Sequence, residues 1–344
     1  MEKKDKKYLS ASRIKTLESC SWVYWCKYHL KLPDKSNDGA LRGSVCHLIF
    51  EMLIGKNRKK YFNKIIKTKK LSSVPSVDRL VKKWVKKYKL SQENYDLIEV
   101  MIVVGLETDF YGGSGVKILD PEFEFKIVNE EPEYNILGFI DKVFLYPKGE
   151  EVIITDYKTS KEKFKGSEVD CNIQGLMYSL VARRTWPEYK KVIIKFIFLK
   201  FPEDPIIEIS FTDEEIEGFG YYLEYLNKKV TSFTEKEAKS SYAADMPDVK
   251  NEFKGRVMCG RAKNKGHLKK DGKPMWHCPF KFDFEYYVII NEKGDIVKSA
   301  FEREDLPSSL AEGQIVEKRD YKGCPRYSGY SFPKDPKAVD IFAL

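Results

Sequence analysis

Apolar positions recur at helical spacing over the first third of the chain and at strand spacing after it. Ile14, Leu17 and Cys20 follow Ser10 and Ser12, either of which can cap a helix, and a second helix is predicted over Leu41–Leu53. Val81, Trp84, Val85 and Tyr88 form one amphipathic face of a helix predicted over Asp78–Leu90, and Glu93–Leu106 reads as another. From Val116 the pattern changes, and KILDPEFEFKIV alternates as a strand does. KILDPEFEFKIV, NILGFIDKVFLYP and EEVIITDYKT read as three strands of a meander, a helix fits Val169–Arg184, and KKVIIKFIFLKF and IIEISFT add further strands. This order predicts an α/β (α+β) fold with a mixed central sheet flanked by helices. Three regions are expected: 1–115, helical with a Lys-rich insertion; 116–235, the sheet core; and 236–344, a small Cys- and Lys-rich subdomain.

Composition changes this picture little. A chain of 344 residues with 42% hydrophobic and 14% aromatic content can bury a substantial core. The net charge of +9 is moderate and reads as spread along the chain, so nucleic-acid binding is allowed but not required. The Lys-rich stretch from Lys56 to Lys70 reads as the solvated face of a packed helical insertion. MEKKDKKYLSASR has no apolar core of a secretory signal, and no run approaches the roughly 20 apolar residues of a membrane span. Seven cysteines without a signal segment read as reduced thiols or metal ligands. A soluble cytoplasmic protein with no membrane partner is expected.

Candidate chemistry centres on EVIITDYKTSKEKF. If the chain reverses around Lys148-Gly149, Asp141 and Asp156 become direct cross-strand neighbours, about 5 Å apart at Cβ. A slip of one residue would part them. Lys158, two positions beyond Asp156, shares its face. Two carboxylates and an ammonium suit Mg²⁺ or Mn²⁺ and an attacking water, and they equally suit a surface salt bridge. Gln174 and Tyr178 lie four apart on the next helix, either facing a cleft or polar by chance. His47, between Gly43 and Glu51 on its helix, reads as a structural histidine or a metal ligand.

Together, LSASRIKTLESCSWVYWCKY, GSVCHLIFE, GFIDKVF, TDYKTSK and QGLMY resemble the RecB-like branch of the PD-(D/E)XK nuclease superfamily. They are similar to RecB/AddB nuclease domains and to CRISPR-associated RecB-like exonucleases, in the family's order. The resemblance covers roughly Leu9–Ile54 and Val116–Leu199, making 116–235 the nuclease core. It implies that His47, Asp141, Asp156 and the backbone carbonyl of Tyr157 hold Mg²⁺ or Mn²⁺, with Lys158 as the catalytic lysine. Gln174 and Tyr178 would organise the site, and Glu122 or Glu124 would add a nearby carboxylate. The implied activity is hydrolysis of DNA phosphodiesters, as an exonuclease on single strands or duplex ends in repair, recombination or replication. The alternative is a nuclease fold that binds DNA or acts as a scaffold without cleaving. No GxxxxGK[ST] occurs, so a helicase or replication or recombination partner would be a separate chain.

Several RecB-like nucleases hold a [4Fe–4S] cluster on one N-terminal and three C-terminal cysteines. Cys20 matches the first position; Cys259, Cys278 and Cys324 are the C-terminal candidates, with Cys26 as an alternative fourth. The compact C-terminal cysteine run is missing, because a basic insertion separates Cys259 from Cys278. Structural Zn²⁺ with His267 or His277 is the rival, and a site without metal the third reading.

Overall fold

The computed structural model describes residues 7–34, 37–55, 57–240, 242 and 258–328. In chain order the helices are α1 (Ala11–Ser19), α2 (Ser21–Tyr24), α3 (Asp38–Ile54), α4 (Lys59–Thr68), α5 (Pro75–Lys87), α6 (Gln92–Glu107), α7 (Ser167–Asp170), α8 (Ile173–Thr185), α9 (Asp213–Thr231) and α10 (Glu235–Ser240). The strands are β1 (Lys117–Ile118), β2 (Phe123–Glu130), β3 (Glu133–Ile140), β4 (Lys142–Tyr146), β5 (Glu151–Lys158), β6 (Lys191–Phe198), β7 (Ile206–Ile209), β8 (Phe284–Ile290), β9 (Ile296–Ala300) and β10 (Ile315–Tyr321). The chain divides into two units, one of residues 1–11 and 36–232, the other of 12–35 and 233–344. Among the described residues no helix is long and apolar enough to cross a membrane.

The first unit is built on a five-stranded mixed sheet in the order β1-β4-β5-β6-β7, in which only the β5–β6 pair is parallel. Its α/β architecture and mixed sheet match the expectation. The β4–β5 register, Lys142 opposite Thr155 and Tyr146 opposite Glu151, is the one a reversal around Lys148-Gly149 demands. NILGFIDKVFLYP, expected as one strand, is two. β3 pairs with β2 in a separate ribbon, the chain breaks at Asp141, and β4 joins the main sheet. The break frees Asp141 from any ladder. The helix expected over Val169–Arg184 is also divided, because Asn172 caps α8 by accepting from the Gly175 N–H at 2.9 Å.

β5 is buried on both sides, as a strand with a parallel neighbour should be. Tyr157, on one side, joins a core made by α3, α4, α5 and α6, where Val45, Ile49, Ile65, Val77, Val81 and Ile98 meet. The Phe50 ring stacks on Tyr157 at 4.1 Å between centroids. Gly105 makes this contact possible: a Cβ there would stand 2.3 Å from the Phe50 ring and 3.0 Å from Leu199. On the other side α8 packs on β6 and α9 on β3 and α8. α9 opens with a reciprocal capping box between Thr212 and Glu215.

In the second unit β8 lies between β10 and β9, and the Trp22 indole of α2 donates to the Tyr321 hydroxyl at 2.8 Å. That hydroxyl donates to the Phe280 carbonyl at 3.0 Å, tying the short N-terminal helix to the sheet. All seven cysteines lie among the described residues, and no disulfide joins any of them.

Overpacking at the α3–α6 crossing should be costly. Gly105→Val is expected to lower stability by about 1–3 kcal/mol, read as a lower midpoint in urea unfolding; an unchanged midpoint would show that Phe50 can give way.

Candidate active site

Three elements bring their side chains to the Asp141 break. His47 comes from the middle of α3, Asp141 from the gap between β3 and β4, and Glu122 from the residue before β2. Glu122 has a φ of 54°, left-handed backbone that a glutamate rarely adopts, and its N–H donates to the Asp141 carbonyl at 3.3 Å. One ligand atom from each of the three lies within 4.8 Å of the others, a set that could hold a metal ion. Glu51, Lys142 and Tyr157 line the same small void, whose volume of about 10 Å³ suits one water or one bare ion.

The electrostatics favour positive charge here. Burial alone would lower the His47 pKa. The Asp141 hydrogen bond, with Nδ1 3.2 Å from Oδ1, and the charges of Asp141, Asp156 and Glu122 outweigh it and lift the imidazole to about 9. Burial and the neighbouring Asp141 charge raise Glu122. Asp141 Oδ2 also accepts from the Tyr157 N–H at 2.8 Å, so the two strands are joined by a carboxylate where their ladder ends.

Asp156 is almost wholly buried, and burial raises its pKa against the pull of Lys158. Its Oδ1 accepts from Gln174 Nε2 at 2.7 Å and from the Tyr178 hydroxyl at 3.1 Å. Its Oδ2 lies 2.6 Å from the Lys158 ammonium and accepts no hydrogen bond of good geometry. Lys158 Nζ also donates to Gln174 Oε1 at 2.6 Å, and Gln174 Nε2 reaches the Tyr178 oxygen at 2.7 Å. The Tyr178 hydroxyl lies 3.0 Å from the Phe139 carbonyl of β3, two residues before Asp141.

The structure thus brings His47, Asp141 and Glu122 into one group, and Asp156, Lys158, Gln174 and Tyr178 into an adjoining one. Coulombic coupling runs between them, since Asp156 senses both Asp141 and His47. Tyr157 lines the void. Glu124 does not join: it is exposed, opposite Phe139 in the ribbon. Of the two glutamates weighed from sequence, only Glu122 reaches the cluster, and its left-handed backbone has no sequence signal.

Sequence reasoning missed Lys142. It is 1% exposed, and its Nζ donates to the Tyr157 hydroxyl at 2.7 Å and the Phe110 carbonyl at 3.2 Å. The rings of Phe110, Phe144 and Tyr157 surround it at 4.5–5.2 Å. Burial lowers its pKa to about 7, against the opposing charges of Asp109 and Asp141. In sequence it is one lysine beside Asp141 at the head of an apolar run, and nothing there marks it as buried.

In the second unit Cys20, Cys259, Cys278 and Cys324 gather. Burial pushes the Cys278 thiol up to about 12, with the Cys20, Cys259 and Cys324 thiols adding to it. The Cys278 N–H donates to the Cys259 carbonyl at 3.1 Å. Cys26, buried nearby, donates its thiol to the Tyr321 hydroxyl at 3.5 Å. His267 accepts from the Lys263 N–H at 3.0 Å, and His277 Nδ1 lies 3.0 Å from the Cys278 carbonyl. Among the described residues neither histidine belongs to a metal-sized ligand group.

Comparison with known proteins bears on this geometry. The family model of the PD-(D/E)XK nuclease superfamily matches residues 8–264, well over half of the chain. The chain belongs to that superfamily. A solved structure from Eubacterium rectale described as a "Putative exonuclease" is a distant match. It is 17% identical, covering 67% of this chain and 83% of that one with a TM-score of 0.43. No curated protein matches the chain.

The burial of Lys142 makes a pH-dependent prediction. An unfolded lysine titrates near 10.4, so between about pH 7 and 10 the unfolded chain binds more protons and native stability rises with pH. Lys142→Met removes this dependence. In metal-chelated protein, the stability of the variant relative to the native chain should be most favourable below pH 7. It should then fall by up to about 1.4 kcal/mol per pH unit above that. Urea unfolding at several pH values measures it; parallel curves would mean that the folded lysine keeps an ordinary pKa.

Proposed function

We propose that the chain is a Mg²⁺- or Mn²⁺-dependent deoxyribonuclease of the RecB-like type, acting as an exonuclease on single strands or duplex ends. The observation that carries this reading is the juxtaposition of the His47–Glu122–Asp141 group with a buried Asp156 held by Lys158, Gln174 and Tyr178. The donor set fits a hard divalent ion: two carboxylates and an imidazole around a void of ionic size. An ion bound there would polarise a phosphoryl oxygen and supply a water acidic enough to attack phosphorus.

The residues themselves do the positioning. Gln174 and Tyr178 fix Asp156 through Oδ1, which leaves Oδ2 beside the Lys158 ammonium. Lys158 can shift from Asp156 toward a phosphate, offsetting negative charge as it grows on the phosphoryl oxygens. Tyr178, by also engaging the Phe139 carbonyl, couples that network to the strand leading to Asp141.

Two measurements test the reading. Labelled single- and double-stranded DNA with Mg²⁺ or Mn²⁺ should be cut, and Asp156→Ala or Lys158→Ala should slow cleavage at least about a hundredfold. No cleavage by the native chain on either substrate would leave a binding or scaffold role instead. Mn²⁺ should also raise the melting temperature of the native chain, and Asp141→Asn should abolish that rise.

We further infer that Cys20, Cys259, Cys278 and Cys324 hold a [4Fe–4S] cluster in the second unit. The convergence of four thiols from distant parts of the sequence supports it. Tetrahedral Zn²⁺, with Zn–S bonds of about 2.3 Å, is the rival occupant of the same thiols. Anaerobically purified protein should show iron–sulfur charge-transfer absorption and contain iron, and Cys278→Ser should lose both. Colourless protein with stoichiometric zinc would overturn the assignment.

A further inference from the structure

The positive charge of the chain, which reads as spread out, is concentrated. Residues 56–90 hold 14 of the 61 basic side chains and one of the 52 acidic ones, a net +13, so the rest of the chain carries −4. The whole positive excess therefore belongs to α4, α5 and their flanks. Lys60, Lys64 and Lys67 on α4, and Lys83, Lys86 and Lys87 on α5, are exposed. None of these six meets a carboxylate in an ion pair among the described residues. The segment's pairs there are Lys69 with Glu107, Lys70 with Glu99 and Lys82 with Asp78.

Such a pattern works against the helices that carry it. Lys60 and Lys64, and Lys83 and Lys87, are like charges at i,i+4, and Lys64–Lys67 and Lys83–Lys86 are like charges at i,i+3. Pairs at these spacings destabilise a helix, and a face needed only for solubility would mix signs. A ligand that supplies the missing negative charge removes the conflict.

The surface is also fixed. Ile65, Val77 and Val81, from the inner faces of α4 and α5, belong to the same core as Cys46 and Ile49, which flank His47 on α3. Tyr61, Trp84 and Tyr88 pack against that core. They are therefore poorly placed to stack on bases, which points away from single strands and toward a phosphate backbone. α5, with 13 residues, is about 20 Å long, and duplex DNA presents about a dozen phosphate charges over that length.

We propose that the exposed lysines of α4 and α5 form a phosphate-binding surface that holds duplex DNA outside the metal centre. It rests on the deoxyribonuclease reading and adds the element that retains the substrate. The test is binding of a labelled duplex by the full chain in a metal chelator, followed over a series of salt concentrations. Lys64→Gln, Lys67→Gln, Lys83→Gln and Lys86→Gln, combined, should weaken binding at least about tenfold at low salt. They should also flatten the slope of log K against log salt by about 3. An equal neutralisation elsewhere, at Lys117, Lys148, Lys236 and Lys293, should change binding less than about threefold. Because the helix substitutions relieve repulsion, the melting temperature should hold or rise. If the four-fold variant melts early, the Lys64/Lys67 and Lys83/Lys86 double variants carry the test.

Equal losses in the two sets would mean a diffuse charge effect, and no loss in the helix set would also overturn the proposal. Loss of binding to anionic vesicles with duplex binding intact would assign the surface to a membrane and overturn it too. A native chain that binds the duplex through these lysines yet never cuts DNA would sink the nuclease reading alone. One that cuts DNA while the helix set binds normally would sink only the surface.

Discussion

A carboxylate buried inside a protein is tolerable only if its environment replaces the water it has lost, and this constraint organises the first unit. Asp156 sits near the end of a strand enclosed on both faces, where an unpartnered charge would cost on the order of several kcal/mol. Its compensation comes from one adjacent strand position, Lys158, and from one turn of α8, Gln174 and Tyr178. The helix must therefore begin at a fixed place. Asn172 caps it, and Gly175 lets it approach β7 so closely that a Cβ would fall 2.7 Å from Ile209. Local features that look like ordinary helix chemistry are what keep the buried acid in its place.

The two faces of β5 divide the work. Asp156 and Lys158 belong to the face bonded to α8, while Tyr157 between them enters the core of α3–α6. The same tyrosine stacks on Phe50, accepts from Lys142 and donates its N–H to Asp141. A strand with period two thus ties the polar network on one side to the packing of the His47 helix on the other. Lys142 has the opposite problem to Asp156: its partners are a phenol, a carbonyl and three ring faces, and among the described residues no carboxylate pairs with it. The pull of burial on the two groups is accordingly toward neutrality in both cases, upward for the acid and downward for the lysine.

Much of this is legible in the sequence. Gly149 and Pro147 marked the reversal that sets the β4–β5 register, and a four-residue interval marked Gln174 and Tyr178 as neighbours. What escaped was whatever depends on a break or on tertiary burial. The run NILGFIDKVFLYP is rich in strand-forming residues on both sides of Asp141 and holds no turn residue beside it, so the change of sheet there leaves no plain local trace. Glu122 and Glu124 have the same residue type and nearly the same surroundings in sequence. Only the left-handed turn at Glu122 separates the clustered one from the exposed one. Lys142 looks like any strand lysine, and its burial depends on tertiary neighbours: the Phe110 carbonyl, beyond the end of α6, and the Tyr157 hydroxyl.

Positive charge stands in two different settings, and dielectric separates them. Lys158 lies 2.6 Å from a buried carboxylate, where salt screens weakly. The lysines of α4 and α5 stand in solvent, where the Debye length is about 10 Å at 0.1 M salt, so each acts only on what lies nearly in contact. Exposed charges can still bind strongly when the partner is itself a dense polyanion, because association then releases condensed counterions. Retention of a long charged substrate can therefore rest on a surface that is entropically driven and easily tuned by salt. On the proposed reading, bond-breaking would rest instead on a few desolvated groups whose geometry salt hardly touches. Gln174 and Tyr178 hold Asp156 in place without drawing on the lysines of α4 and α5, so the two uses of charge are independent.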